Sequence, residues 1–260
     1  MDDLALAQAV YTNYCEMWRA VGAVAPDGSI FEVQQRSDML LVRSRYTQRI
    51  PHMILDPVVD GRTVHDWIAF LVQELAADPI SLMVAIPPGQ EQSLLVDALR
   101  AEGFMPSARP LVAMARVAEP PARDTNLPPA ISIASSETEL AEARDLLARI
   151  FGLPDEVFAF YTPPSLVRTY VLRHHGMLVA AMCLCPFAGY AGVYSVGVLP
   201  SARGRGYARH LVRRALQDAA RGGLPIAVLS CERNLVGLYQ ALGFTTCWDL
   251  AAYWLEAWWR

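Results

Sequence analysis

The sequence predicts an α/β (α+β) protein built from two related halves. Three observations predict it. The order strand, turn, helix, strand, helix, strand occurs twice along the 260 residues. Segments of the first half echo segments of the second in the same order, the sign of an internal repeat. Between them, a stretch rich in proline and polar residues reads as a linker, Ala118-Glu119-Pro120-Pro121-Ala122-Arg123-Asp124-Thr125-Asn126-Leu127-Pro128-Pro129. The expected organisation is therefore a first domain over 1–118, a linker over 119–129 and a second domain over 130–260.

The echoes justify the elements. Leu55–Arg62 (LDPVVDGR) aligns without a gap with Val198–Arg205 (VLPSARGR), each a strand end running into a turn. Leu71-Val72 opens a helical pattern like that at Leu211-Val212. Pro79–Ile86 resembles Pro225–Leu229, a short buried strand. Ala98–Phe104 resembles Ala241–Phe244, a helix ending in Gly-Phe.

The second half reads in order. Ile131–Ala134 is a strand. Ser136 and Glu139 form a capping box before a helix with Leu140, Ala143, Leu147 and Ile150 on one face. Phe151–Pro164 is loop and short helix. Val167–Arg173 and Met177–Cys185 form a hairpin across His174-His175-Gly176. Val193–Val198 is a strand, and Ala208–Ala220 is amphipathic, with Ala208, Leu211, Val212, Ala215, Leu216 and Ala219 opposite Arg209, Arg213, Arg214 and Asp218. Ile226–Leu229 is a strand, Leu235–Leu242 a helix and Asp249–Glu256 a closing strand.

Composition sets limits. With 53% hydrophobic residues the chain can bury a large core without staples. A net charge of −4 argues against a broad nucleic-acid surface. No apolar run is long enough to span a membrane. Met1-Asp2-Asp3 is acidic where a signal peptide is basic. Five cysteines are an odd set that fits reduced thiols and a cytoplasmic location. Cys183 and Cys185 alternate on one strand face, but no CxxC or His pair completes a zinc set, so no metal is expected.

The chemistry concentrates at Val198–Ala208. A strand there ends in a basic, glycine-rich turn, and a helix follows directly. Such a turn aims backbone N–H groups at one anion, at the positive end of a helix dipole. A Walker loop needs a lysine, and the chain has none. A dinucleotide fingerprint needs a third glycine that Gly204-Arg205-Gly206 lacks.

The fuller pattern, Val-x-Pro-x-x-Arg-Gly-x-Gly-x-Ala, resembles the acyl-CoA-binding motif of the GNAT (GCN5-related N-acetyltransferase) superfamily. Asn234-Leu235-Val236-Gly237-Leu238-Tyr239-Gln240-Ala241-Leu242-Gly243-Phe244 is similar to that family's N-x₄-Y-x₃-GF ending. The resemblance covers about 130 to 256; the first half matches the same plan weakly. It implies two GNAT-like domains, each a twisted mixed β-sheet flanked by helices. It further implies that Val193–Val198 and Ile226–Leu229 are parallel strands that splay apart. The pantetheine arm of CoA would lie in that gap, bonded to Val196 and Val198. The pyrophosphate would sit on Arg203, Gly204, Arg205, Gly206, Tyr207 and Ala208.

By the same resemblance, the expected activity is transfer of an acetyl group from acetyl-CoA, as co-substrate, to a primary amine of a small molecule by direct attack. Tyr239 would protonate the leaving thiolate. A backbone N–H near Val198 would stabilise the tetrahedral oxyanion. Asn234 would contact CoA, cap a helix, or do both. Tyr194 and Ser195 stand where the family often has an acidic residue, so the base is unassigned. Phe151, Phe158, Phe160 and Tyr161 would form an apolar acceptor wall. The alternatives are a protein or peptide N-acetyltransferase and a non-catalytic acyl-CoA-binding module; a homodimer is compatible with either.

The first half departs from the cradle pattern. Asp60 stands against Arg203, Thr63 against Gly206 and His65 against Ala208, with Leu99 near the Tyr239 position. A carboxylate repels pyrophosphate, and a β-branched residue resists the turn. One CoA site per chain follows.

Overall fold

The computed structural model describes residues 1–25, 29–46, 50–59, 64–76, 81–117, 130–159 and 164–256. The proposed linker and the first-half turn residues Asp60–Thr63 lie outside them, as do Phe160 and Tyr161.

The first half comprises α1 (Asp3–Val24), β1 (Phe31–Gln35), β2 (Leu40–Ser44), β3 (His52–Leu55), α2 (Val64–Ala76), β4 (Leu82–Ala85), α3 (Leu94–Ala101), β5 (Met105–Pro106) and β6 (Val112–Val117). The second comprises β7 (Ile131–Ile133), α4 (Glu137–Phe151), α5 (Asp155–Ala159), β8 (Arg168–His174), β9 (Met177–Phe187), β10 (Tyr190–Val198), α6 (Tyr207–Arg221), β11 (Ile226–Cys231), α7 (Val236–Gln240), β12 (Thr245–Asp249) and β13 (Ala252–Leu255). The expected order of elements holds in both halves.

Local chemistry explains the helix boundaries. Ser136 caps α4: its hydroxyl accepts from Glu139 N at 3.2 Å while the Glu139 carboxylate accepts from Ser136 N at 3.1 Å. The helix ends on Gly152 in the left-handed conformation. α6 buries Leu211, Val212 and Leu216 at about 2 kcal/mol each, which anchors the helix by its apolar face. The ends of α3 and α7 share one geometry. Gly103 and Gly243 both have φ of 84°, Phe104 N donates to Leu99 O at 3.0 Å, and Phe244 N donates to Tyr239 O at 3.1 Å.

Two mixed sheets result, in the orders β1-β2-β3-β4-β13-β5 and β12-β6-β11-β10-β9-β8-β7. The halves exchange a strand. The expected closing strand Asp249–Glu256 is found as β13 (Ala252–Leu255), which enters the first sheet between β4 and β5, while β12 just before it has no counterpart among the expected elements. Reciprocally β6, which precedes the linker, enters the second sheet. It pairs along its length with β11, from Ile226↔Val117 to Cys231↔Val112, and on its other edge with β12. Residues 252–255 form a strand as expected, and the sheet membership of both 112–117 and 252–255 is opposite to a partition at 118 and 130.

Helix α1 joins the halves further. Tyr11, Cys15, Met17, Trp18 and Val21 share one core with Leu40, Val42 and Leu55 of the first sheet and Ala181, Cys183 and Cys185 of the second. Leu6, Ala9 and Val10 pack on Ala113, Ala115 and Val228. The opposite face of the second sheet packs under α6, with Leu184 and Val193 meeting Leu211 and Val212. Cys183 and Cys185 therefore do face one side and Leu184 the other. Burial pushes the Cys183 thiol up to about 12, as expected of an inert core cysteine.

Candidate active site

The site is built at the carboxyl ends of two parallel strands. β10 and β11 pair only at Ala191↔Ala227 and Gly192↔Val228. Beyond that point β10 runs on to Val198 and β11 to Cys231 without pairing with each other, so the strands fork. A bulge bends the β10 arm: its ladder to β9 shifts between Tyr194 and Gly197, and Ser195 takes a φ of 51°. Tyr194, Ser195, Val196 and Val198 are half-buried, unlike Ala191–Val193. Gly197 lets α4 close in on the bulge, since a Cβ there would meet Leu147 at 3.0 Å.

The turn follows at once. Pro200–Ala202 forms a 3₁₀ turn, and the chain then enters α6 through Gly204 and Gly206, with φ of 78° and 77°. Those angles favour glycine. Gly206 occupies the N-cap of α6 and supplies no capping side chain. His210 N donates to Gly206 O at 3.0 Å, while the N–H groups of the first turn have no partner within the helix. The turn is exposed, and a Cβ at Gly204 would meet nothing within 4 Å. Arg203 Nε donates to Val198 O at 3.2 Å, so this side chain ties the turn back to the strand end. The Tyr207 ring is buried in the core against His174, 5.6 Å between centroids, leaving its backbone to face the turn. Ala208 is half-buried.

Across the fork, a 3₁₀ turn at Arg233–Leu235 and α7 follow β11. Tyr239 is 6% exposed and packs edge-on against Phe244. Burial pushes its hydroxyl up to about 12, and the nearby Cys231 thiol adds to the shift. The phenol therefore stays protonated through neutral pH. Asn234 is exposed; the N-cap of α7 is Leu235 and makes no side-chain capping bond, so the capping role for Asn234 is not realised. Glu232, at the N-cap of the 3₁₀ turn, is exposed. Phe158 is buried in the shared core, while Phe151 is 43% exposed beside it, 5.7 Å between centroids. Of the described part of the expected acceptor wall, only Phe151 faces outward.

One participant has no counterpart among the expected residues. Asn13 of α1, fully buried, bonds to the β9–β10 hairpin and accepts from Tyr194 Oη at 2.8 Å. A lone asparagine within a helix carries no sequence signal that it faces a second sheet.

Among the described residues no group of three or more His, Cys, Asp or Glu could hold a metal ion, and no helix is long and apolar enough to cross a membrane.

Comparison with known proteins agrees with this architecture. The sequence model of the acetyltransferase (GNAT) family matches residues 136–244. The chain is similar in fold to a GCN5-related N-acetyltransferase from Kribbella flavida, with a TM-score of 0.64, 18% identity and 94% of each chain covered. It is similar to a GCN5-related N-acetyltransferase from Sphaerobacter thermophilus, with a TM-score of 0.63, 17% identity, and 98% of this chain and 93% of that one covered. A tandem GNAT protein from the clavulanic acid biosynthesis pathway superposes with a TM-score of 0.66 at 13% identity, covering 98% of this chain and 94% of that one. No curated protein sequence matches the chain. The two sheets are thus two GNAT-like folds in tandem, and residues 136–244 of the second half match the acetyltransferase (GNAT) family model.

Proposed function

We propose that the second half transfers an acetyl group from acetyl-CoA to a primary amine of a small molecule by direct attack. The observation that carries the reading is the fork of β10 and β11 opening onto a glycine turn at the start of α6. Residues and ligand fit each other there. Gly204 and Gly206 place no Cβ at their two positions in the turn, and the first-turn N–H groups suit a diphosphate. Arg203 fixes the turn and Arg205 remains its exposed charge. Tyr207 and Ala208 contribute backbone N–H groups. The bulged arm offers Val196 and Val198 as backbone partners for an amide-bearing arm, and Asn234 stands exposed across the fork. Acetyl-CoA, when bound, supplies the thioester carbonyl and its thiolate leaving group. Tyr239, held protonated by burial, donates toward the departing sulfur, and a backbone N–H near Val198 faces the developing oxyanion.

A small acceptor is favoured over a protein tail by α1. That helix crosses the second sheet beside α4, and Tyr14 and Trp18 pack edge-on there, covering the face a long peptide would need open. All five thiols are free, four of them buried, which suits a reducing cytoplasm. The first half serves as scaffold, with one CoA bound per chain.

The test is calorimetric titration with acetyl-CoA followed by thiol release against panels of small amines and peptides. One saturable site per chain, with release stimulated by small primary amines, is expected. Absence of saturable binding overturns the reading; peptide-only stimulation overturns the acceptor class.

A further inference from the structure

The first half reaches the active site through one buried amide. Asn13 sits in mid-helix among apolar neighbours, on a face where Val10 and Met17 are also buried. A side-chain amide is stable there only with its hydrogen bonds made. Asn13 makes them to the second half. Its Nδ2 lies 3.2 Å from Cys185 O, 3.0 Å from Phe187 O and 3.4 Å from Tyr190 O, spanning the β9–β10 hairpin. Its Oδ1 accepts from Tyr194 Oη at 2.8 Å.

These bonds fall at the branch point of the fork. Gly192, the last β10 residue paired with β11, lies directly under the amide: a Cβ there would stand 2.2 Å from Asn13 Oδ1. Tyr194, whose hydroxyl Asn13 holds, is the last residue before the ladder to β9 shifts. Tyr14, next to Asn13, stacks on the Tyr194 ring at 6.5 Å and 27°. The following residue, Ser195, is held at positive φ, a conformation that persists only where the surroundings over-determine it. Asn13 and Tyr14 are part of those surroundings, and both come from the first half.

We propose that Asn13 is a positioning residue of the acyl site: through Tyr194 it holds the Ser195 bulge, and so aims the backbone of the β10 arm at the thioester carbonyl. The inference rests on the acetyl-transfer reading above. It gives the first half a part in turnover without giving it a ligand.

The mild probe is Tyr194→Phe, which removes one hydroxyl and keeps the ring. The stronger one is Asn13→Ala. Each is measured for kcat, for KM toward acetyl-CoA, for melting temperature, and for the carbonyl stretch of bound ¹³C-acetyl-CoA. Loss of an aimed oxyanion donor lowers kcat, so a fall of about tenfold is expected in Tyr194→Phe, with KM changed by less than about threefold and melting nearly unchanged. The carbonyl band is expected to move toward its position in free acetyl-CoA. Because the two residues act through one bond, Asn13→Ala/Tyr194→Phe is expected to lose no more than Asn13→Ala alone. An unchanged kcat and carbonyl band in Tyr194→Phe overturn the proposal, as do additive losses. If Asn13→Ala fails to fold, Tyr194→Phe decides alone. A wild-type protein that binds no acetyl-CoA fails the acetyl-transfer reading first, and this one with it.

Discussion

The two halves solve the same parallel pair differently. In the first, β3 and β4 pair at His52↔Leu82, Met53↔Met83 and Ile54↔Val84, and both strands end one residue later; all four residues of β3 are buried. In the second, pairing stops at Gly192↔Val228 and the strands continue apart, with the β10 arm half-buried. One pair ends together and the other forks. The helix following each fork partner repeats the contrast. Phe104 and Phe244 bond back to Leu99 and Tyr239 in the same way, but the first position holds a fully buried leucine and the second a phenol. On the proposed reading, a shared framework becomes a site where the two strands part and one apolar position gains a hydroxyl.

The comparison can be broken most severely at the exchanged strands. A fragment of residues 130–260 lacks β6, which separates β11 from β12 and bonds to both. It should show no cooperative unfolding transition by circular dichroism, whereas a fragment starting at 108 should regain one. A cooperative 130–260 fragment would mean that the second sheet closes without the first half.

The next effect is at the turn. Gly206→Val places a β-branched residue at a φ of 77° and a side chain over the first-turn N–H groups. Acetyl-CoA affinity should fall about 100-fold by calorimetry, from blocked access and a reshaped turn together, and the strain should lower the melting temperature as well. Equal affinity would move the anion elsewhere.

Tyr239 and Leu99 sharpen the contrast further. Tyr239→Phe should lower turnover about 30-fold while leaving acetyl-CoA affinity within about threefold, the signature of a group used in proton transfer. Leu99→Ala should instead cost about 2–5 kcal/mol of stability through its cavity, with turnover per folded molecule unchanged. Unchanged turnover in Tyr239→Phe would favour a non-catalytic acyl-CoA-binding module.

The smallest effect is alkaline. Burial raises Cys183 from 9.0 to about 12, Cys247 to about 11 and Tyr239 from 10.0 to about 12. Each raised value means that the folded form keeps its proton where the unfolded chain would lose it. Their contribution is therefore complete below pH 9 and is lost as pH climbs toward 12. Cys183 alone should account for about 1 kcal/mol by pH 10. Melting temperatures measured across pH 7 to 11 should be level and then fall; a rise above pH 9 would contradict the burial of these groups.

Much of this was legible because it is written locally. The capping box at Ser136 and Glu139, the stripe of α6, the turn glycines and the Gly-Phe helix ends each follow from neighbouring residues, and each is found. What was not legible depends on distant partners. Residues 252–255 read as part of a strand, but alternation of buried side chains does not say which sheet a strand joins. Asn13 gives no hint of its bonds to residues 185, 187, 190 and 194, since only the packing of α1 brings them together. Ser195 is invisible for the same reason: serine does not announce a positive φ, and the fork around it creates one. Asn234 shows the converse, a plausible local cap that the chain does not use.

The exchange of β6 and β13 also orders events at the ribosome. Domains commonly fold as they emerge, the earlier before the later. Here the first sheet needs residues 252–255 between β4 and β5, so its assembly waits until those residues have been translated. Meanwhile β4 of the nascent first half has an open edge and β5 and β6 have no strand partner, a template for wrong pairing. Slow translation should therefore lower the yield of this chain, in contrast to proteins whose domains close one by one.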